Sequence, residues 1–147
     1  MINLLKDKYI ACEIENNLYE NWEEKKYFTP ELDNNKPYYS IILPPPNVTG
    51  ILHIGHVLNT SITDSIIRYK RMKGFNTLWL PGTDHAGIAT QNKVERMLLE
   101  QGTTKEEIGK KAFIAKTWEW KNKYGHIITK QLRKIGASLD WSREMFT

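Results

Sequence analysis

The chain has 147 residues and a formal net charge of +4, with 40% hydrophobic and 26% charged residues. That is the content of one ordinary globular domain, long enough to bury a core, and it excludes collagen-like, low-complexity and strongly acidic disordered chains. The single Cys12 rules out an internal disulfide and fits a reducing, cytoplasmic setting, and no run approaches the ~20 apolar residues that a membrane-spanning helix needs.

A pI of about 9.1 mildly favours a polyanionic partner. Residues 1–8 lack a long apolar stretch and do not read as a signal peptide. From Cys12 to Phe28, Ile14, Leu18 and Trp22 recur at spacings of four, which predicts an amphipathic helix ended by Pro30. Asp33-Asn34-Asn35-Lys36-Pro37 reads as a loop, so residues 1–36 form a helical extension ahead of a domain over 37–147. The aromatic and β-branched run Tyr38–Leu43 predicts a buried strand, stopped by Pro44, Pro45 and Pro46 because proline cannot donate to a ladder.

A helical pattern follows from about His56 to Lys73, with Leu58, Ile62, Ile66 and Tyr69 near one face. Arg68, Lys70, Arg71 and Lys73 complement the dipole of its last turns, and Gly74 suits the position after it. Asn76–Leu80 reads as a second parallel strand, so strand, helix and strand predict a crossover unit. A helix over about Ile88–Gln101 ends at Gly102, and Thr104 with Glu107 forms a capping box for the next one. The longest helical stretch, about Lys111–Ile135, carries Ile114, Trp118, Ile128, Leu132 and Ile135. Lys121 and Gly125 interrupt that stripe and predict a break near Gly125.

The chemistry gathers between the first strand and its helix, in Pro44-Pro45-Pro46-Asn47-Val48-Thr49-Gly50-Ile51-Leu52-His53-Ile54-Gly55-His56. Gly50 and Gly55 let the backbone approach a ligand, and a loop feeding a helix N-terminus suits phosphate. The residues alone leave alternatives. His53 and His56 also match a metal pair with His85 as a third ligand, or ordinary loop histidines. Asp84 follows the second strand, where open α/β sheets bind ligands, and it is equally placed to cap the next helix. Trp22, Trp79, Trp118, Trp120 and Trp141 suit packing more than base stacking, with Trp141 also a candidate for the site's rim. Lys110, Lys111, Lys116, Lys121, Lys123, Lys130, Arg133 and Lys134 form a solvated helix face or a surface for nucleic acid. Asn47-Val48-Thr49 matches a glycosylation acceptor that a cytosolic chain leaves unused.

His53-Ile54-Gly55-His56 resembles the first signature of class I aminoacyl-tRNA synthetases. Asn47-Val48-Thr49-Gly50 before it is similar to the valine branch of that family. So is Leu80-Pro81-Gly82-Thr83-Asp84-His85-Ala86-Gly87-Ile88-Ala89-Thr90-Gln91, where the isoleucine and leucine relatives usually have Trp in place of Thr83. Leu139-Asp140-Trp141-Ser142-Arg143-Glu144 agrees. The three blocks stand in family order and span nearly the whole chain.

The resemblance implies an α/β fold, the N-terminal half of a Rossmann-like catalytic domain with parallel strands and helices on both faces, stopping before an editing insertion. It also implies ATP-dependent activation of valine and transfer to valine tRNA, with ATP entering as its Mg2+ complex and no metal held by this segment. His53 and His56 are then the catalytic pair on the ATP phosphates, Thr49 and Gly50 line the phosphate channel, and Gly55 leaves room for adenine and ribose. Asp84 takes the α-ammonium group, and Pro45 and Asn47 face the amino acid. The lysine loop, editing domain and anticodon helices of the family are not in this sequence, so the segment alone is expected to be incomplete and the complete enzyme a cytoplasmic monomer. A non-catalytic nucleotide-binding module derived from a synthetase is the competing reading.

Overall fold

A computed structural model describes residues 8–31 and 35–147. Residues 1–7 and the Asp33–Asn34 part of the expected loop lie outside the described residues.

The single helix expected over residues 12–28 is two short ones, α1 (Ala11–Ile14) and α2 (Leu18–Glu24). The break is at Asn17, whose φ of 65° is left-handed, a conformation asparagine tolerates better than most residues. Ile14 is consequently exposed, and the apolar work falls to Tyr19, Trp22 and Phe28, whose rings meet pairwise at 5.8–5.9 Å. Tyr19 donates its hydroxyl to the Ala137 carbonyl at 2.5 Å and accepts from Trp141 Nε1 at 2.6 Å. Burial pushes the pKa of that phenol up to about 12. Arg133 holds Glu23 at 3.1 Å, so this segment is fastened to the far end of the chain.

The strands form where expected. β1 (Tyr38–Ile42) and β2 (Asn76–Leu80) pair in parallel, from Tyr38 opposite Asn76 to Ile42 opposite Leu80, and α3 (Ile54–Met72) crosses between them. β1 is half-buried rather than buried. Tyr39 and Ile41 pack on the core while Tyr38 and Ile42 are 57% and 69% exposed, because among the described residues β1 has β2 as its one strand partner. The apolar face expected for α3 is also not the one it buries. Thr60 and Ile67 point into the core, whereas Leu58, Ile62, Ile66 and Tyr69 face outward.

The basic residues ending α3 do more than complement its dipole. Arg68 bonds Asp64 at 2.8 Å and the Gly136 carbonyl at 2.6 Å, Arg71 reaches Ser138 Oγ at 3.2 Å, and Lys70 lies 4.9 and 4.6 Å from the Tyr39 and Phe75 ring centres. Asp64 also accepts from the Ser138 N–H and hydroxyl at 3.0 and 2.5 Å. Charged groups on α3 thereby clamp the strap at residues 136–138 to the helix.

Beyond β2 come β3 (Gly82–Thr83), α4 (Gly87–Glu100), α5 (Lys105–Lys134) and β4 (Met145–Phe146), which pairs in parallel with β3. The Thr104–Glu107 capping box forms as expected, at 3.2 and 2.9 Å. The interruption of α5 is at Gly109, with φ 76° and ψ 163°, and the helix runs unbroken through Gly125. Burial of Ile128 and Leu132 on the next turns offsets the ~1 kcal/mol cost of a helical glycine.

Ile128 and Leu132 join Leu43, Val48, Leu52, Ile67, Trp79, Ala137 and Leu139 in one core, with Trp79 fully buried. The Trp79 carbonyl accepts from the Asp140 amide at 3.0 Å, which brings the chain's last residues alongside β2. Asp140 is 1% exposed, and its carboxylate accepts from Thr29 Oγ1 at 3.1 Å and Ser142 Oγ at 2.6 Å while pairing with Arg143 at 3.2 Å. The third sequence block is therefore structural: it locks the N-terminal segment to the sheet.

Candidate functional site

The site is built where the strands stop. Prolines end the ladder after β1, but the loop continues beside the one after β2. The Leu43 amide donates to the Leu80 carbonyl at 3.0 Å, the Asp84 amide to Pro46 at 2.9 Å, and the Val48 amide to Asp84 at 3.0 Å. Asn47 and Asp84 meet as an isolated parallel bridge. Two residues from different sequence blocks are thereby placed side by side at the carboxyl end of a parallel sheet.

Pro45, Asn47, Thr49, Gly50, His53, Gly55 and His56 all line one open cleft of about 690 Å³. Asp84 stands outside that lining and reaches it through the bridge to Asn47. Asn59 and Thr60 of α3 and Lys93 of α4 line the cleft too. Asn59 and Thr60 were legible in principle, since they lie three and four residues after His56 on one helical face. Lys93 carries no local signal.

The two histidines form a reciprocal pair at the start of α3. His53 Nδ1 accepts from the Gly55 amide at 3.1 Å, and His56 Nδ1 accepts from the His53 amide at 3.2 Å. Their ring centres are 4.0 Å apart. A ring nitrogen that accepts from an N–H carries no proton, so each neutral imidazole holds its proton on Nε2. Among the described residues neither Nε2 has a partner, and both remain available as donors. Burial, and then the neighbouring His53, lower the pKa of His56, which favours this neutral form. The free amides of the helix N-terminus add partial positive charge, so the arrangement suits an anion.

Gly55 has an additional reason to be glycine. A Cβ there would sit 3.0 Å from His53 Cε1 and 3.1 Å from its Nδ1, so the missing side chain lets the ring fold back onto the helix. Gly50 has open space around it.

Asp84 does cap the turn into α4: its Oδ1 accepts from the Ala86 amide at 2.6 Å. Ala86, the residue before α4, is left-handed at φ 46° and ψ 42°, a strained state held by that bond and by Thr90 Oγ1 on the His85 carbonyl at 2.6 Å. Oδ2 has no hydrogen-bond partner among the described residues, and the side chain is 37% exposed, so one oxygen is structural and the other is free for a cation. The ring of His85 engages Thr147 Oγ1 at 3.1 Å. Among the described residues no group of three His, Cys, Asp or Glu side chains is placed to hold a metal, so the triad of His53, His56 and His85 does not assemble. Among them, too, no helix is long and apolar enough to cross a membrane.

A parallel sheet with a nucleotide-type loop and a histidine pair at its carboxyl end matches known proteins. Residues 17–147 match the model of the tRNA synthetases class I (I, L, M and V), and the chain belongs to that family. Within it, the relatives it is similar to are valine–tRNA ligases. That of Fusobacterium nucleatum subsp. nucleatum is 64% identical over 146 residues, 99% of this chain and 16% of that protein. That of Thermotoga maritima is 55% identical over 144 residues, 97% of this chain and 16% of that protein. The chain thus spans about 16% of the length of the curated relatives it matches. A chain of the Agrobacterium radiobacter K84 agnB2 LeuRS–tRNA–LeuAMS ternary complex superposes with a TM-score of 0.77 at 21% identity, over 95% of this chain and 16% of that one, which shows the shared fold.

Proposed function

We propose that the cleft is the ATP- and valine-binding half of a valine-activating site. In the complete protein, the valine carboxylate attacks the α-phosphate of ATP, pyrophosphate leaves, and the valyl group passes to a valine tRNA. The observation that carries this reading is the histidine pair, with both Nδ1 atoms occupied by backbone amides and both Nε2–H groups free at a helix N-terminus. The nucleophile is already ionised at neutral pH, so no strong base is needed. The work left to the protein is alignment and stabilisation of charge spreading over phosphate oxygens, which neutral imidazole donors and helix amides can supply.

His53 and His56 serve the phosphates of ATP, which enters as its Mg2+ complex, and Thr49 and Gly50 border the phosphate path. Gly55 shapes the floor under the nucleotide. Asp84 Oδ2 receives the α-ammonium group, while Pro45 offers an apolar wall to the isopropyl side chain and Asn47 a polar one beside it. Similarity to proteins named valine–tRNA ligase supports valine over isoleucine and leucine. The test is ATP–pyrophosphate exchange by the complete protein. Exchange stimulated by valine well above isoleucine and leucine is the expected result. Nucleotide binding without valine-dependent exchange would leave the non-catalytic module as the better reading.

A further inference from the structure

Loops hold a reactive geometry only when something rigid pins them. The loop from Asn47 to His53 is poorly pinned by its own backbone. Among the described residues, the amides of Thr49, Gly50, Ile51 and Leu52 make one hydrogen bond, and it goes to a side chain of α5: Leu52 N–H donates to Gln131 Oε1 at 2.9 Å. A second α5 side chain holds the other end, where Trp120 Nε1 donates to the Val48 carbonyl at 2.9 Å. The two anchors lie about three helical turns apart on one face of α5. Between them Ile128 and Leu132 pack against Val48 and Leu52 in the core, and Trp120 is itself braced by Tyr124, ring centres 4.3 Å apart.

The chemistry at the two ends differs. Val48 directly follows Asn47 and donates its amide to the Asp84 carbonyl, so it belongs to the amino-acid end. Leu52 directly precedes His53, so it belongs to the phosphate end. We propose that Trp120 and Gln131 are positioning residues, each governing one substrate: Trp120 sets the amino-acid end of the loop through Val48, and Gln131 sets the histidine end through Leu52. The proposal rests on the valine-activating reading above.

Valine-dependent ATP–pyrophosphate exchange by the complete protein tests it, with both substrates titrated and thermal midpoints recorded. Trp120→Phe keeps the ring and removes the donor; the expected result is a valine KM raised about tenfold with the ATP KM within about twofold. Gln131→Leu removes the acceptor and buries an unpaired amide; the expected result is an ATP KM raised, or kcat lowered, about tenfold with the valine KM unchanged. Gln131→Glu retains an acceptor oxygen and is expected to restore wild-type values. A general loss of structure would move both substrates together, so parallel shifts in both KM values, no shift in either, or no rescue by Gln131→Glu each overturn the proposal. If Trp120→Phe does not fold, the comparison of Gln131→Leu with Gln131→Glu decides alone. Absence of exchange in the unaltered protein would instead sink the valine-activating reading, and this proposal with it.

Discussion

Each imidazole of the His53–His56 pair accepts a backbone amide on one ring nitrogen and offers a proton from the other, so its charge state is coupled to local structure. The pKa of His56 is lowered in the fold, chiefly by burial and then by His53. A lowered folded-state pKa means that the unfolded chain binds the proton more readily, so the stabilisation is present above about 6.5, the unfolded value, and is lost as pH falls through the folded one. The thermal midpoint should therefore drop between about pH 7.5 and about pH 5.5, and His56→Ala should lose part of that slope. Equal slopes in the two proteins would show that His56 does not report on the fold. Asp84 allows a cleaner separation of roles. Asp84→Asn keeps an oxygen for the Ala86 amide and removes the charge, so the loop should persist while valine binding weakens about tenfold or more and ATP binding is spared. Calorimetric titration with each substrate measures this, and unchanged valine affinity would take Asp84 out of the amino-acid site.

At the scale of elements, two glycines of α5 have opposite meanings. Gly109 is left-handed at φ 76°, whereas Gly125 is helical with open space where a Cβ would go. Gly125→Ala should stabilise the chain by up to about 1 kcal/mol, and Gly109→Ala should destabilise it by a similar amount. Thermal midpoints read by circular dichroism should move in opposite directions, and a shift of the same sign would contradict the helix break as described. Composition could not assign the break, because both positions read as glycine in a helical pattern and the deciding φ belongs to the chain's turn into α5. Gly82 is a third case: a Cβ there would meet the Met145 carbonyl oxygen at 3.0 Å, so this glycine permits β3 and β4 to approach.

At the scale of the whole molecule, the most informative departure from the sequence pattern is α3. Its stripe of Ile54, Leu58, Ile62, Ile66, Tyr69 and Met72 is 41–87% exposed, and Ile42 on β1 is 69% exposed. An apolar stripe at helical spacing ordinarily marks a buried face, and one of this extent left in water is a contact surface. The 147-residue chain should therefore bind an apolar fluorescent dye strongly under native conditions, and the complete protein should bind far less per molecule. A chain that leaves the dye dark would count against this exposed surface.

The sequence by itself determined what depends on neighbours along the chain. Tyr38–Ile42 and Asn76–Leu80 are strands by propensity, the prolines after the first end its ladder, Thr104 and Glu107 cap α5, and the histidine signature opens α3. These rest on local sterics and local hydrogen bonds, so each was legible from a few residues. The tertiary structure alone decided which distant residues meet. The bridge between Asn47 and Asp84, the hold of Trp120 and Gln131 on the signature loop, the entry of Lys93 into the cleft and the buried role of Asp140 all stem from the register of β1 on β2 and the packing of α5 across them. Spacing along the chain carries no record of those contacts, because burial of apolar surface sets them collectively and is indifferent to sequence distance.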